Sequence, residues 1–242
     1  MKKPDYGIDA PGVIRNLLVC GALALAGSFF LRGTLRVTAG ITAAVFLFEG
    51  AAMYVYAKHG KFRHRDRMLA MLAWKGGEQV LDVGTGRGLM MIGAAKKLAG
   101  GRAFGIDIWN AEDLTANSMS STLRNIALEG VKDRAELSTG DARELKFADG
   151  TLDVVVSNLA LHNIPDAAGR AKACAEIARV LKPGGTALVS DFRSTGEYSA
   201  AFKKAGLAVS SSGPYLLDTF PPLRIIRAVK PGIKGQMTAV KG

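Results

Sequence analysis

Asp82-Val83-Gly84-Thr85-Gly86-Arg87-Gly88 places glycine at every second position directly after the apolar pair Val80-Leu81, and Asp107 ends a second apolar run 19 residues beyond Gly88. A side chain at Gly84, Gly86 or Gly88 would hold a ligand away from the backbone, and glycine enters positive-φ turns freely. The predicted helix from Leu89 to Leu98 directs unpaired N–H groups at this loop, while Asp107 at a strand tip suits the two hydroxyls of a ribose. The pair therefore suits a nucleoside cofactor. The dinucleotide spacing G-x-G-x-x-G is absent, because Leu89 stands where its third glycine belongs. Asp82, two residues before the first glycine, would repel a pyrophosphate and attract an ammonium group. A cationic cofactor fits better than an anionic one.

Asp82 to Gly88 resembles the first motif of the class I S-adenosylmethionine-dependent methyltransferases, an acidic residue followed by x-G-x-G-x-G. The resemblance runs over roughly residues 62 to 230 and implies S-adenosylmethionine as cofactor and S-adenosylhomocysteine as product. It implies Asp82, Gly84, Thr85, Gly86 and Gly88 at the cofactor, Asp107 at its ribose, Ile108 and Trp109 beside the adenine, and Asp141 and Ala142 at the adenine amine. The strand Asp153 to Asn158 and the turn Lys182-Pro183-Gly184-Gly185 are similar to later landmarks of the family. Leu159-Ala160-Leu161-His162-Asn163-Ile164-Pro165 is most similar to small-molecule enzymes such as quinone-biosynthesis and arsenite methyltransferases; Thr85 replaces the cysteine or alanine common there.

Methyl transfer from a sulfonium is an in-line displacement, so a protein contributes mainly by positioning. Ligands of open sheets gather at strand carboxyl ends, which nominates Asn158, His162, Asp191 and Arg193 around the acceptor, with Asn158 also touching the cofactor. His162 is the candidate base for a neutral acceptor and Asp191 a base or cation-binding group. His59, His64 and His162 lack zinc spacing, and Cys20 and Cys174 are far apart, so neither a metal nor a disulfide framework is expected.

These residues need a scaffold of alternating strands and helices. Strands are predicted near 79–83, 102–107, 134–138, 153–157 and 186–191, with a lead-in helix Arg65 to Trp74 and a closing antiparallel pair at 208–212 and 223–229. The implied class is α/β, a doubly wound, Rossmann-like seven-stranded sheet with an antiparallel closing strand. The methyltransferase domain is assigned to residues 61–230 and a basic tail to 231–242. With 48% apolar residues among 242, a sizeable core is available.

Residues 1–60 read differently. Segments of about 13–31 and 37–57 are apolar on all faces, with Glu49 the one acid in the second, and a turn from Arg32 to Arg36 separates them. A transmembrane helical hairpin is predicted, with Ala22, Ala24, Ala26 and Ser28 letting its backbones approach. Lys2, Lys3 and Arg15 before it and Lys58, Lys61, Arg63, Arg65 and Arg67 after it make eight basic residues against Arg32 and Arg36 between, placing both ends and the catalytic domain in the cytoplasm at the cell membrane. A carboxylate at such depth is rarely idle, so Glu49 is expected to face the partner helix or the substrate entrance. The hairpin is also a possible route to homo-oligomers. The expected partners are the bilayer and a small or lipid-like acceptor. A net charge of +11 would suit RNA as well, yet the basic residues cluster where topology wants them, and no nucleic acid is expected. Two rivals stand beside this reading: an RNA methyltransferase, and a membrane-tethered cofactor-binding protein without turnover.

Overall fold

The computed structural model describes residues 3–232; Lys2, Lys234, Lys241 and most of the predicted basic tail lie outside them. Its first two elements are the apolar helices α1 (Pro11–Ser28) and α2 (Gly33–Val55). Both are long and apolar enough to cross a membrane by length and composition. Each starts earlier than the sequence suggested. Proline at the first helical position costs no hydrogen bond, since that N–H lacks a partner anyway. Gly33, at φ 58°, opens α2 so that Arg36 falls inside it and the turn shortens to 29–32. The close contact between the helices also differs from expectation. A Cβ on Gly21 would stand 2.8 Å from Leu47, and one on Gly50 2.8 Å from Leu18, whereas Ala22 and Ala26 face outward. Leu23, Phe30, Leu35, Ile41 and Phe48 are exposed around the hairpin.

A single π turn, Tyr56–Gly60, carries α2 directly into α3 (Lys61–Ala70). The predicted helix to Trp74 stops at Ala70 because the Trp74 indole N–H donates to the Leu69 carbonyl at 2.8 Å, occupying one of the carbonyls a helix end leaves over. Strands β1 (Gln79–Val83), β2 (Arg102–Asp107), β3 (Ala135–Thr139), β4 (Leu152–Asn158) and β5 (Leu181–Asp191) then alternate with α4 (Leu89–Ala95), α5 (Met119–Leu128) and α6 (Ala167–Val180); α7 (Thr195–Lys204) precedes β6 (Ala208–Ser211) and β7 (Arg224–Val229). The sheet order is β3-β2-β1-β4-β5-β7-β6. The first five strands are parallel, and β7 alone runs antiparallel, to both of its neighbours. Lys182–Gly185 does not simply end α6: it sits within β5, where the pairing with β4 jumps from Leu152↔Leu181 to Val154↔Thr186.

The pleat of β4 explains the two-faced core. Val155 packs with α6 and α7 through Ala173, Ile177 and Phe202, while Val154 and Val156 pack with α3 and α4 through Leu69, Met91 and Ile92. Apart from Ala173, each of these side chains contributes roughly 1.5–3 kcal/mol on full burial, so the sheet is a rigid base. Strand order reverses between β1 and β4, and their carboxyl ends open the crevice where such folds hold ligands.

Candidate active site

At the β1 end the glycine loop folds onto its own strand neighbours. Gly84 and Thr85 donate to the Ile106 carbonyl at 2.9 Å, and Gly86 donates to Asp107 Oδ2 at 2.7 Å. The glycines make room for protein as much as for ligand. A Cβ on Gly84 would lie 2.2 Å from that of Ala160, and one on Gly86 2.9 Å from Leu114; both residues have positive φ. Asp82 is fully buried beneath the loop. Its Oδ2 accepts from the Thr85 hydroxyl at 2.8 Å and from the Met91 N–H of α4 at 2.9 Å, while Oδ1 has no partner. Burial is the main reason its carboxyl rises to about 7, with the Asp107 charge adding to it and the two hydrogen bonds opposing.

A first cavity of about 210 Å³ opens over this loop. Asp82, Gly84, Thr85, Gly86, Asp107, Ile108, Asp141, Ala142 and Asn158 line it. Gly88 and Trp109 do not. Gly88 shapes the turn from below, at φ 86°, and the left-handed backbone of Trp109 swings its indole to Thr139, where Nε1 donates to the hydroxyl at 2.8 Å. Asp141 is engaged by Arg143, whose guanidinium donates at 2.6 and 3.0 Å. That guanidinium, with the Arg143 N–H, holds the Asp141 carboxyl below its usual range against a smaller effect of burial.

The roof of this cavity was not legible beforehand. Residues 5–10 cross it as a strap: Ala10 donates to the Asp113 carbonyl at 2.9 Å, Thr115 to Ile8 at 3.0 Å, and Asn125 of α5 both accepts from and donates to the Asp5 backbone. Lys61, 3% exposed, latches it from α3, donating to the Tyr6 and Gly7 carbonyls at 2.8 and 2.7 Å and to Asp9 at 3.2 Å. Burial pulls the Lys61 ammonium down from its ordinary range, and Asp9 opposes this. Tyr6, Asp9, Lys61 and Asn117 thus join the wall. The only forecast of Lys61 was as one of a run of cations near a membrane surface.

A second cavity of about 1070 Å³ lies between the lower ends of α1 and α2, the β4 and β5 ends and Phe220-Pro221-Pro222. The two cavities share Asp9, Asp113, Leu159 and Asn163. Leu159, at φ 54°, is a bulky side chain in the left-handed region, a conformation held against strain where the chambers meet. His162, Arg193 and Glu49 line the second cavity. Asp191 lines neither. It is 0% exposed and holds His162: the ring Nδ1 lies 2.9 Å from Oδ1, the His162 N–H donates at 3.2 Å, and Phe192 N–H and Tyr198 hydroxyl complete the shell at 2.9 and 3.2 Å. The carboxylate expected as a base or cation-binding group thus faces His162 rather than either cavity. Arg193 donates to the His162 carbonyl at 3.0 Å. Among the described residues no cluster of histidine, cysteine and carboxylate side chains could hold a metal ion.

The comparisons agree with this architecture. Residues 81–189 match the family model described as a methyltransferase domain. The chain is 35% identical over 127 residues to a demethylmenaquinone methyltransferase of Lactiplantibacillus plantarum, covering 52% of this chain and 50% of that one. It is 33% identical over 137 residues to a 27-O-demethylrifamycin SV methyltransferase of Amycolatopsis mediterranei, covering 54% and 44%. The chain spans about half the length of the curated relatives it matches. In fold it is similar to the YcgJ protein of Bacillus subtilis, with TM-score 0.58, 18% identity and coverage of 70% and 98%. A geranyl diphosphate C-methyltransferase of Streptomyces coelicolor, solved with S-adenosyl-L-homocysteine, gives TM-score 0.58, 16% identity and coverage of 69% and 75%. Residues 81–189 thus match a methyltransferase domain, and the sheet around them shares its doubly wound fold with these solved structures.

Proposed function

We propose that the protein is a membrane-anchored S-adenosylmethionine-dependent methyltransferase acting on a small, hydrophobic or membrane-partitioning acceptor. One observation carries this reading: the cavity over the glycine loop adjoins a second one walled by the base of two apolar helices and by His162, which Asp191 holds from behind. The first cavity fits the cofactor chemically. Buried oxygens of Asp82, Asn117 and Asn158 have no partners there, and buried acceptors of that kind call for ligand donors, such as the ammonium, ribose hydroxyls and adenine amine. Asp82 and Asp107 are the residues to hold the amino-acid and ribose ends, with Ile108, Asp141 and Ala142 toward the base. The bound sulfonium supplies an electrophilic methyl group and departs as a thioether. The demethylmenaquinone and 27-O-demethylrifamycin SV in the relatives' names support a hydrophobic acceptor here.

The protein's share of the reaction is positioning and proton removal. Asp191 fixes one His162 nitrogen, leaving Nε2 without a partner among the described residues. Nε2 takes the proton a hydroxyl or amine acceptor loses as its lone pair bonds to the methyl carbon. The strap 5–10 and its Lys61 latch exclude water above the transfer path.

Purified protein incubated with methyl-labelled cofactor and a membrane extract tests this. Label is expected in an organic-soluble small-molecule or lipid fraction. Label confined to RNA, or cofactor binding with none transferred, would favour one of the rivals instead.

A further inference from the structure

Two buried polar groups, one in the wall of each cavity, take no part in the proton removal assigned to His162. Tyr56 belongs to the π turn that ends α2, a local irregularity often found at functional sites. Its side chain is 4% exposed, lines the wide cavity and has a hydroxyl with no hydrogen-bond partner. The hydroxyl stands beside the Asn158 side chain, whose own Oδ1 is buried and unpartnered in the wall of the first cavity. Neither atom has a hydrogen-bond partner among the described residues. The placement is built in: a Cβ on Gly60 would lie 2.7 Å from the Tyr56 ring, so glycine there lets the ring seat against the turn. Two buried polar atoms left open at one spot signify a missing ligand group, since each costs desolvation without return.

The charges around them narrow the ligand. The wide cavity carries Asp9, Glu49, Glu112 and Asp113 against Arg15 and Arg193. Asp9 is matched by Lys61, which leaves three acids against two guanidiniums. A carboxylate or phosphate head therefore meets no excess of positive charge. Much of the remaining lining is apolar, including Val13, Leu17, Met53, Phe192, Phe220 and Pro221.

We infer that Tyr56 and Asn158 form a two-point anchor for the acceptor's polar head, making Tyr56 a specificity-determining residue supplied by the hairpin. The acceptor class is an amphiphile with a neutral or cationic head carrying an O–H or N–H group and an apolar body lying against α1 and α2. Asn158 Oδ1 and His162 Nε2 both accept, so a head without a donor leaves them open. This inference rests on the methyltransferase reading for the role of the site, but its binding test does not need turnover.

The test uses the full chain in nanodiscs of uncharged lipid, with 4-octylphenol, octylbenzene and decanoate as probes in equilibrium binding, and Tyr56→Phe as the variant that keeps the ring. S-adenosylhomocysteine is titrated into the same samples. The expected result is saturable octylphenol binding at least tenfold tighter than octylbenzene or decanoate, with the phenol preference falling about tenfold in Tyr56→Phe and S-adenosylhomocysteine affinity unchanged. A mere packing role for Tyr56 would shift both uncharged probes together. Equal octylphenol affinity in wild type and variant, decanoate binding as tightly as the phenol, or no binding of any probe overturns the anchor. Failure to bind S-adenosylhomocysteine with the phenol preference intact would instead overturn the cofactor assignment.

Discussion

At the carboxyl end of β1, burial lifts the Asp82 carboxyl to about 7 while its free Oδ1 faces the place proposed for a cationic ligand. The sign of the pH effect follows. With the folded value above the unfolded one, ionisation of Asp82 costs stability as pH rises from about 4 through 7. A ligand ammonium reverses that preference by favouring the carboxylate, so S-adenosylhomocysteine affinity is expected to increase as pH rises from 6 to 8, with proton release on binding near pH 6.5. Asp82→Asn removes this dependence and weakens binding about 10- to 100-fold at pH 8; calorimetry in buffers of different ionisation heat reads both. A pH-independent affinity in wild type would contradict the role. For the transfer step, Asp191→Asn leaves the packing around Tyr198 and Phe192 but disturbs the His162 tautomer, and a kcat loss of about 10²–10⁴ with unchanged cofactor affinity is expected. The glycine loop and Asp107 were legible because a strand-loop-strand spacing fixes them locally. The placements of Asp191 and Trp109 were not, since each depends on where a side chain turns after its strand ends.

The elements that complete the site come from opposite ends of the predictable range. Strands β1, β2 and β4 are apolar runs bounded by turn residues, and the structure places them within a residue of the sequence reading. Residues 5–10 carry no periodicity, and only tertiary contacts make them a roof. Lys61→Met withdraws the donor from two carbonyls and Asp9, an expected loss of about 1–3 kcal/mol from strap closure. Hydrogen exchange of residues 5–10 should quicken, and S-adenosylhomocysteine should dissociate faster, while the sheet amides stay protected. The hairpin contact is similarly specific. Gly50→Leu drives a side chain into Leu18, and separation of α1 from α2 is expected, visible as lower thermal stability than Gly27→Leu, where nothing lies within 4 Å. Sequence pattern alone pointed to Ala22 and Ala26, because the rotation of two uniformly apolar helices about their axes is set by their mutual packing.

On the scale of the molecule, the α/β domain and two apolar helices are joined without a flexible linker, because α2 runs through the π turn into α3. The basic residues that flank the hairpin in sequence divide accordingly: Lys61 is buried in the domain and Arg67 is paired with Asp218. On the proposed membrane anchoring, the exposed apolar faces of α1 and α2 would carry attachment, and the full chain is expected to stay with membranes through molar salt and alkaline carbonate and to leave only with detergent. Release by salt alone would mean surface association. All of this depends on a nucleoside sulfonium seated over Asp82, Gly84 and Asp107. The direct measurement is calorimetric titration of the detergent-solubilised full chain with S-adenosylhomocysteine, in wild type and Asp107→Ala. One saturable site, weakened at least tenfold by the substitution, is expected; absence of binding in wild type for both this product and S-adenosylmethionine would contradict the account.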